Sequence, residues 1–288
     1  MPDALPTALL DGELIATAEA RVSPFDRGFL FADAVYEVVP CYSGKPLRLD
    51  AHLERLAASL DALGLGNPYP AERWRELLSG LIAANGGGDL GVYLQVTRGA
   101  GKGRDFLPPS GIEPTVFGFA WRLTPPTDEQ LGRGLAGVTL EDIRWLRCDI
   151  KSTALLAAVM LRREAAAKGG DEAILVRDGH LAEGSSSAVF VVRDGRIATP
   201  PASRERLPSI TRQVVGDVLD ALDLPLKERE IPASELTGMD EIWIASATRE
   251  AFAVTRLDGQ PVGSGRAGPV WKRVYDEFQV LKQRECGE

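Results

Sequence analysis

The sequence predicts an α+β protein of two lobes with mixed sheets. Helix-like and strand-like apolar patterns occur on both sides of Leu123-Thr124-Pro125-Pro126-Thr127, where neighbouring prolines suit extended backbone. At 288 residues the chain is long enough for two modest domains, and no repeat or low-complexity tract interrupts it. The expected boundaries are an N-terminal lobe over 1–122, an interdomain linker over 123–129 and a C-terminal lobe over 130–288.

Residues 9–21 read as two short strands around the Asp11-Gly12 turn. Ser23-Pro24-Phe25-Asp26-Arg27-Gly28 is turn-rich and reads as a loop. Ala34 to Tyr42 alternates as a strand and stops at Ser43-Gly44-Lys45-Pro46. An amphipathic helix then sets Leu53, Leu56, Ala57, Leu60 and Leu63 on one face and ends at Gly64. A second carries Trp74, Leu77, Leu78, Leu81 and Ile82 and ends at Asn85, before the glycines at 86–88. Strands return at 92–97 and 115–121, with the glycine-rich loop 99–105 between them. Beyond the linker, Val138, Leu140 and Ile143 alternate as a strand; Leu155, Leu156, Val159 and Met160 then recur as a helix over 152–168. Strands follow at 173–177, 188–192 and 196–198, with Asp-Gly turns at 178 and 194. A helix over 210–222, strands at 242–245 and 252–257, and a closing helix over 269–282 complete the chain.

Composition narrows the function. A net charge of −8 and a pI near 5.1 argue against nucleic acid or an anionic membrane as partner, since both call for a basic footprint. Cys41, Cys148 and Cys286 are far apart and odd in number, so they offer neither a disulfide framework nor metal-ligand spacing. With two histidines, His52 and His180, a histidine metal site or a Ser-His-Asp triad has little material. The chain starts without a basic segment and apolar run, and no span reaches transmembrane length, so a cytoplasmic location is expected.

Chemistry gathers around residues 141–152. Lys151 falls at the expected strand-to-helix junction, after Ile150 and before Ser152, a residue able to cap the helix. A neutral amine there can attack a carbonyl carbon and form a Schiff base; by position alone, Lys151 also suits a lysine that snorkels to the surface. Glu183, beside Gly184 and Ser185-Ser186-Ser187, suits a cationic ring nitrogen, a charge-assisted contact worth roughly 1.5–3 kcal/mol. Ile210-Thr211-Arg212, after Pro208-Ser209, opens a helix whose free N–H groups attract an anion. Ala245-Ser246-Ala247-Thr248 ends a strand with small hydroxyl residues and can do likewise. Arg55, expected on the helix face opposite the leucines, is a candidate phosphate clamp. Taken singly, each also reads as a cap or a solvated residue. Gly263-Ser264-Gly265-Arg266-Ala267-Gly268 matches the dinucleotide fingerprint, yet lies too near the C-terminus for the βαβ unit that gives it meaning. Together, a lysine nucleophile, a glutamate, an arginine and two anion-binding ends meet the demands of pyridoxal phosphate: Schiff base, ring-nitrogen partner and phosphate cup.

Here the sequence resembles the class IV (fold type IV) aminotransferases, most closely the D-amino-acid aminotransferases. The resemblance runs through Asp26-Arg27-Gly28, Ala34-Val35-Tyr36-Glu37-Val38-Val39, His52-Leu53-Glu54-Arg55-Leu56 and Gln95-Val96-Thr97-Arg98-Gly99. It continues through residues 141–152, Glu183-Gly184-Ser185-Ser186-Ser187 and Ile210-Thr211-Arg212. It implies a smaller N-terminal α/β lobe and a larger C-terminal mixed-sheet lobe that binds pyridoxal 5'-phosphate. The site is expected between them, completed by a second subunit of a homodimer. Lys151 is then the residue that bonds the cofactor and moves the Cα proton, and Glu183 keeps the pyridine nitrogen protonated. Leu207 packs on the ring; Arg55, Ile210 and Thr211 cup the phosphate, with Ser246 and Ala247 at the same end; Tyr36 lines the substrate carboxylate site. The implied reaction is ping-pong exchange of an amino group between D-amino acids, such as D-alanine, and 2-oxo acids, such as 2-oxoglutarate or pyruvate; no metal is implied. The chain departs from the family in lacking Arg-x-His after Thr97-Arg98-Gly99, where the loop reads Gly99-Ala100-Gly101-Lys102-Gly103-Arg104-Asp105-Phe106. Arg104 is the candidate for the missing carboxylate clamp and Arg249 a second, while Ala247 stands where the family carries Thr. These departures leave open a branched-chain L-amino-acid or (R)-amine substrate on the same fold.

Overall fold

The computed structural model describes residues 3–287. Residues 3–124, 150–154 and 285–287 form one unit, and residues 125–149 and 155–284 another.

In the first unit, strands β1 (Thr7–Leu10), β2 (Glu13–Ala16), β3 (Ala34–Tyr42), β4 (Lys45–Pro46), β5 (Leu90–Thr97) and β6 (Thr115–Arg122) form one sheet in the order β2-β1-β6-β5-β3-β4. Every pairing in it is antiparallel. Helices α2 (Leu49–Ala62) and α3 (Ala71–Ala84) bury Leu53, Leu56 and Leu60, and Trp74, Leu78 and Leu81, in one core with Val35, Val39, Val92 and Val96 of the sheet. The expected leucine stripe is therefore the packing face. Helix α1 (Arg27–Phe31) begins at the end of the stretch read as loop, overlapping it only at Arg27 and Gly28. It is a single turn, capped by the Asp26 carboxylate on the Gly28 N–H (2.7 Å) and closed by Ala32 at φ +54°, too short to give a periodic signal.

Residues 150–154 belong to this unit because their backbone adds to the edge of β3. Tyr36 N–H donates to Lys151 C=O (2.9 Å), Thr153 N–H donates to Ala34 C=O (3.0 Å), and Ser152 bridges Val35. Ile150 joins the first unit's core. This corrects the expected helix over 152–168: α5 (Leu156–Ala167) starts later, Ser152 caps nothing, and Lys151 sits on extended backbone. The strand before it also ends early, at Glu141, leaving Ile143 outside.

The second unit comprises α4 (Asp128–Arg133), β7 (Leu135–Glu141), α5, β8 (Glu172–Arg177), β9 (His180–Gly184), β10 (Ala188–Arg193), β11 (Arg196–Thr199), α6 (Ile210–Ala221) and β12 (Leu226–Glu228). β13 (Glu241–Ser246), β14 (Glu250–Leu257), β15 (Gln260–Pro261) and α7 (Pro269–Cys286) follow. Its sheet runs β12-β11-β10-β13-β14-β7-β8-β9, with β15 beside β14. It is mixed: β11/β12, β14/β7 and β7/β8 are parallel and the rest antiparallel. β8 is buried along its whole length. Its Ala173 and Leu175 pack with Leu161 and Ala165 of α5, while Ile174 packs with Val189 and Ile244, so both faces are covered. The two-lobed α+β architecture is as expected. α4 was not; it starts within the last residues of the expected linker, on a Thr127–Gln130 capping box.

The Gly263–Gly268 match is a loop ahead of α7, and the place a pyrophosphate would take at that helix N-terminus is filled. The Glu241 carboxylate accepts the N–H groups of Val270 (2.9 Å) and Trp271 (2.7 Å), and a Cβ on Gly268 would strike it. Among the described residues, no helix is long and apolar enough to cross a membrane, and no group of three or more His, Cys, Asp or Glu side chains is arranged to hold a metal ion.

Candidate active site

In the first unit, β3 presents alternate residues to its two faces, which separates neighbours with different tasks. Tyr36 points to one side, stacked on Tyr93 with ring centroids 5.6 Å apart. The Lys151 ammonium nitrogen lies 4.3 Å from the Tyr36 ring centroid. The Lys151 backbone is held by the β3 bond and by its N–H on Ser59 Oγ (3.2 Å), while its half-buried amine makes no hydrogen bond or ion pair among the described residues.

Glu37 points to the other side, in register with Val35 and Val39, and is 1% exposed. Arg55 grips it with Nε (2.8 Å) and Nη2 (2.7 Å), and His52 Nδ1 lies 2.7 Å from the same carboxylate. Burial would raise the Glu37 carboxyl, but the Arg55 charge and the hydrogen bonds from Arg55 and His52 outweigh it and hold the group at about 2. Burial pushes His52 down from its ordinary value, against the pull of Glu37. Arg55 lies off the leucine face as expected, but it is buried and ion-paired rather than solvated. His52, Arg55 and Ser59 form a second buried stripe on α2, polar and aimed at Glu37 and the Lys151 segment. Replacing Glu37 with Gln leaves the buried Arg55 guanidinium without its carboxylate; a loss of about 3–5 kcal/mol is expected, read as a lower denaturant midpoint at unchanged slope. Because the folded carboxyl sits below its ordinary 4.5, the wild type keeps this contribution at neutral pH and loses it as pH falls from 4.5 through about 2.

In the second unit, Glu183 closes β9 and is buried. Arg144 Nη1 donates to it at 2.5 Å and the Leu207 N–H at 3.2 Å, which brings two expected site residues into direct contact. Arg144 is held in turn by Asp142, through Nε and Nη2 at 2.9 Å each, and Asp142 also pairs with Arg177 at 2.9 Å. Burial raises the Glu183 carboxyl, and the Arg144 charge offsets only part of that rise. Arg144 was missed as a site residue. The stretch 141–152 is rich in charge, with Glu141, Arg147, Asp149 and Lys151 beside Asp142 and Arg144, so nothing in the sequence singled Arg144 out.

At the start of α6, Ser209 caps the Arg212 N–H (3.2 Å), leaving the first-turn N–H groups of Ile210 and Thr211 outside the helix's own hydrogen bonding. Ser246 ends β13, with Ala247 in the following turn. Arg249 donates to the buried Glu172 (3.0 Å), whose other oxygen accepts from Ser185 Oγ (2.5 Å). Among the described residues the buried Ser187 hydroxyl has no hydrogen-bond partner, the kind of polar atom that a ligand or a water satisfies. In the first unit, Arg104 lies 5.3 Å from the ring centroids of both Phe31 and Phe106. That loop is tied to α1 by Arg27, which donates to the carbonyls of Asp105 (2.6 Å) and Phe106 (2.8 Å).

The family model for amino-transferase class IV matches residues 34–257. The chain is 38% identical over 281 residues to a D-alanine aminotransferase of Listeria monocytogenes, covering 97% of each chain. It is 36% identical over 270 residues to a D-alanine aminotransferase of Staphylococcus aureus, covering 94% of this chain and 95% of that one. Among solved structures, a T.th. branched-chain amino acid aminotransferase with pyridoxamine 5'-phosphate superposes with a TM-score of 0.92 at 24% identity, covering 99% of this chain and 95% of that one. The Escherichia coli branched-chain amino acid aminotransferase gives 0.92 at 24% identity over 98% and 96%. At that identity the two structures are a likeness of fold.

Proposed function

Because the chain belongs to the class IV aminotransferases, we propose that it is a pyridoxal-phosphate-dependent transaminase exchanging the amino group between D-amino acids, such as D-alanine, and 2-oxo acids, such as 2-oxoglutarate or pyruvate. The observation that carries the chemistry is the Lys151 amine, placed over the Tyr36 ring and making no ion pair among the described residues. The handedness of the substrate is supported by the D-alanine aminotransferases to which the chain is similar.

The residues present fit the cofactor. Ser187 offers an orphaned buried hydroxyl, Glu183 is a buried carboxylate short of positive charge, and the first turn of α6 offers unused N–H groups. Bound pyridoxal phosphate supplies an electron sink for the charge left at the substrate Cα. Lys151 would hold its carbonyl carbon through Nζ and, once displaced by the substrate amine, take the Cα proton and return it on the neighbouring carbon. Glu183 would face the ring nitrogen, with Arg144 behind it, and Leu207 would pack on the ring. Arg55, the Ile210 and Thr211 N–H groups and Ser246 would receive the phosphate, where Ala247 has no hydroxyl to offer. Tyr36 would line the space for the substrate carboxylate, with Arg104 as its clamp. The reaction is ping-pong, the protein a cytoplasmic homodimer whose sites are completed by the partner's loop.

The test is a donor panel of D-alanine, L-leucine and (R)-1-phenylethylamine with 2-oxoglutarate as acceptor. Turnover of D-alanine is expected. Activity confined to L-leucine or to the amine would replace this reading by the branched-chain or amine-transaminase reading that the missing Arg-x-His motif leaves open.

A further inference from the structure

We infer that Phe31 and Phe106 are positioning residues for substrate recognition: they hold the Arg104 guanidinium over their rings, so that its open N–H groups receive the α-carboxylate of the substrate. The inference rests on the transaminase function proposed above, where Arg104 is the clamp, and names what sets that clamp.

The loop that carries Arg104 has a fixed stem. The buried Asp26 carboxylate accepts Thr97 Oγ1 (2.9 Å) and Thr115 Oγ1 (2.8 Å) on one oxygen and the Gly28 N–H on the other. Those threonines end β5 and start β6, so one side chain ties both sides of the loop to the start of α1. Arg27 N–H donates to Gly99 C=O (2.9 Å), and Gly101 N–H donates to Phe25 C=O (3.1 Å). The close approach requires glycine at 28, where a Cβ would strike Thr97. Asp26-Arg27-Gly28 is therefore the anchor of this loop.

Three arginines surround the loop, and two are engaged. Arg98 grips Asp33 through Nε (2.8 Å) and Nη2 (3.0 Å) and donates to the carbonyls of Leu63 and Gly64. Arg27 places Nε on Asp33 (2.9 Å) and its other two nitrogens on the carbonyls of Asp105 and Phe106. Arg104 makes no hydrogen bond or ion pair among the described residues; its contacts are the two rings, themselves 5.6 Å apart. The adjacent Asp105 carboxylate is turned onto the Leu107 N–H (3.0 Å). A ring attracts the cation through its quadrupole, so the guanidinium is placed while its five donors stay open for a bidentate carboxylate. Arg104 is exposed and Phe106 is 75% exposed, so that arrangement can be reached from outside. Lys102, in the same loop, has neither ring nor polar contact among the described residues, so nothing fixes its ammonium.

The experiment measures kcat and KM of the holoenzyme for D-alanine. The variants are Phe31→Leu with Phe106→Leu, Phe31→Tyr with Phe106→Tyr, Arg104→Ala, and the leucine pair added to Arg104→Ala. Leucine keeps apolar bulk and loses the ring; each exposed ring contact is worth about a two- to fivefold change in affinity. KM is expected to rise about five- to thirtyfold in the leucine pair with kcat within about threefold, the sign of binding lost equally from ground and transition states. The tyrosine pair should keep the wild-type KM. Arg104→Ala should raise KM about ten- to a hundredfold, and the leucine pair should add nothing to it. If the pair fails to fold, Phe106→Leu alone carries the test, with about a two- to fivefold rise in KM. An unchanged KM in the leucine variants overturns the inference, as does a tyrosine pair as impaired as the leucine pair. A leucine effect that persists in full on Arg104→Ala also overturns it, because the rings would then act through loop packing. An unchanged KM in Arg104→Ala overturns it while D-alanine turnover leaves the proposed function standing. A wild type silent towards D-alanine overturns that function and the inference with it.

Discussion

Lys151→Ala is expected to lower turnover by at least about a thousandfold and to remove the visible absorbance that bound pyridoxal phosphate acquires on a lysine. The chemical loss should come without structural loss. The segment is held by its backbone, through Lys151 C=O on the Tyr36 N–H, Lys151 N–H on Ser59 Oγ and the Ser152–Val35 bridge, and each survives truncation of the side chain. What the side chain itself touches is the Tyr36 ring, and losing a partly exposed contact of that kind costs about 0.5–1 kcal/mol. The thermal midpoint of the cofactor-free variant should therefore stay within a few degrees of wild type while the absorbance and the turnover vanish together. A variant that keeps either one would remove Lys151 from the chemistry.

Most elements were legible because periodicity survives in them. β3 spans the expected Ala34–Tyr42, and α6 starts at the expected Ile210. The failures share a cause: the deciding contacts are distant in sequence. Ser152 looks like a helix cap, but its backbone is claimed by Val35, more than a hundred residues earlier, and the helix waits for Leu156. Arg55 looks solvated because it lies opposite the leucines of α2, yet Glu37 in a strand of valines receives it. A carboxylate at an inward strand position is the warning sign, since it must have a buried cationic partner. Arg144 and Glu172 were missed for the same reason: each serves another residue, Glu183 in one case and Arg249 in the other, and neither carries a motif of its own.

Glu183→Gln is the second large effect expected, and it separates chemistry from stability in the opposite way to the Glu37 substitution. Burial raises the Glu183 carboxyl, and Arg144 with the Leu207 N–H only partly restores its ionised form. Because the folded value lies above the ordinary one, the cofactor-free protein is favoured at low pH by this group, and that advantage is withdrawn as pH rises through the folded value. At neutral pH a neutral glutamine removes this strain, while Arg144 keeps both of its bonds to Asp142. The cofactor-free variant is therefore expected to be at least as stable as wild type at neutral pH. A protonated ring nitrogen is the positive charge that Glu183 lacks, so the penalty should appear in the reaction. Turnover is expected to fall about 10²–10³-fold, the size of effect seen when one preorganised electrostatic partner is removed, with the Lys151-dependent absorbance retained. Turnover within a few-fold of wild type would leave Glu183 as a partner of Arg144 only, and a large fall in cofactor-free stability would give the ion pair, rather than the ring nitrogen, as the reason the carboxylate is buried.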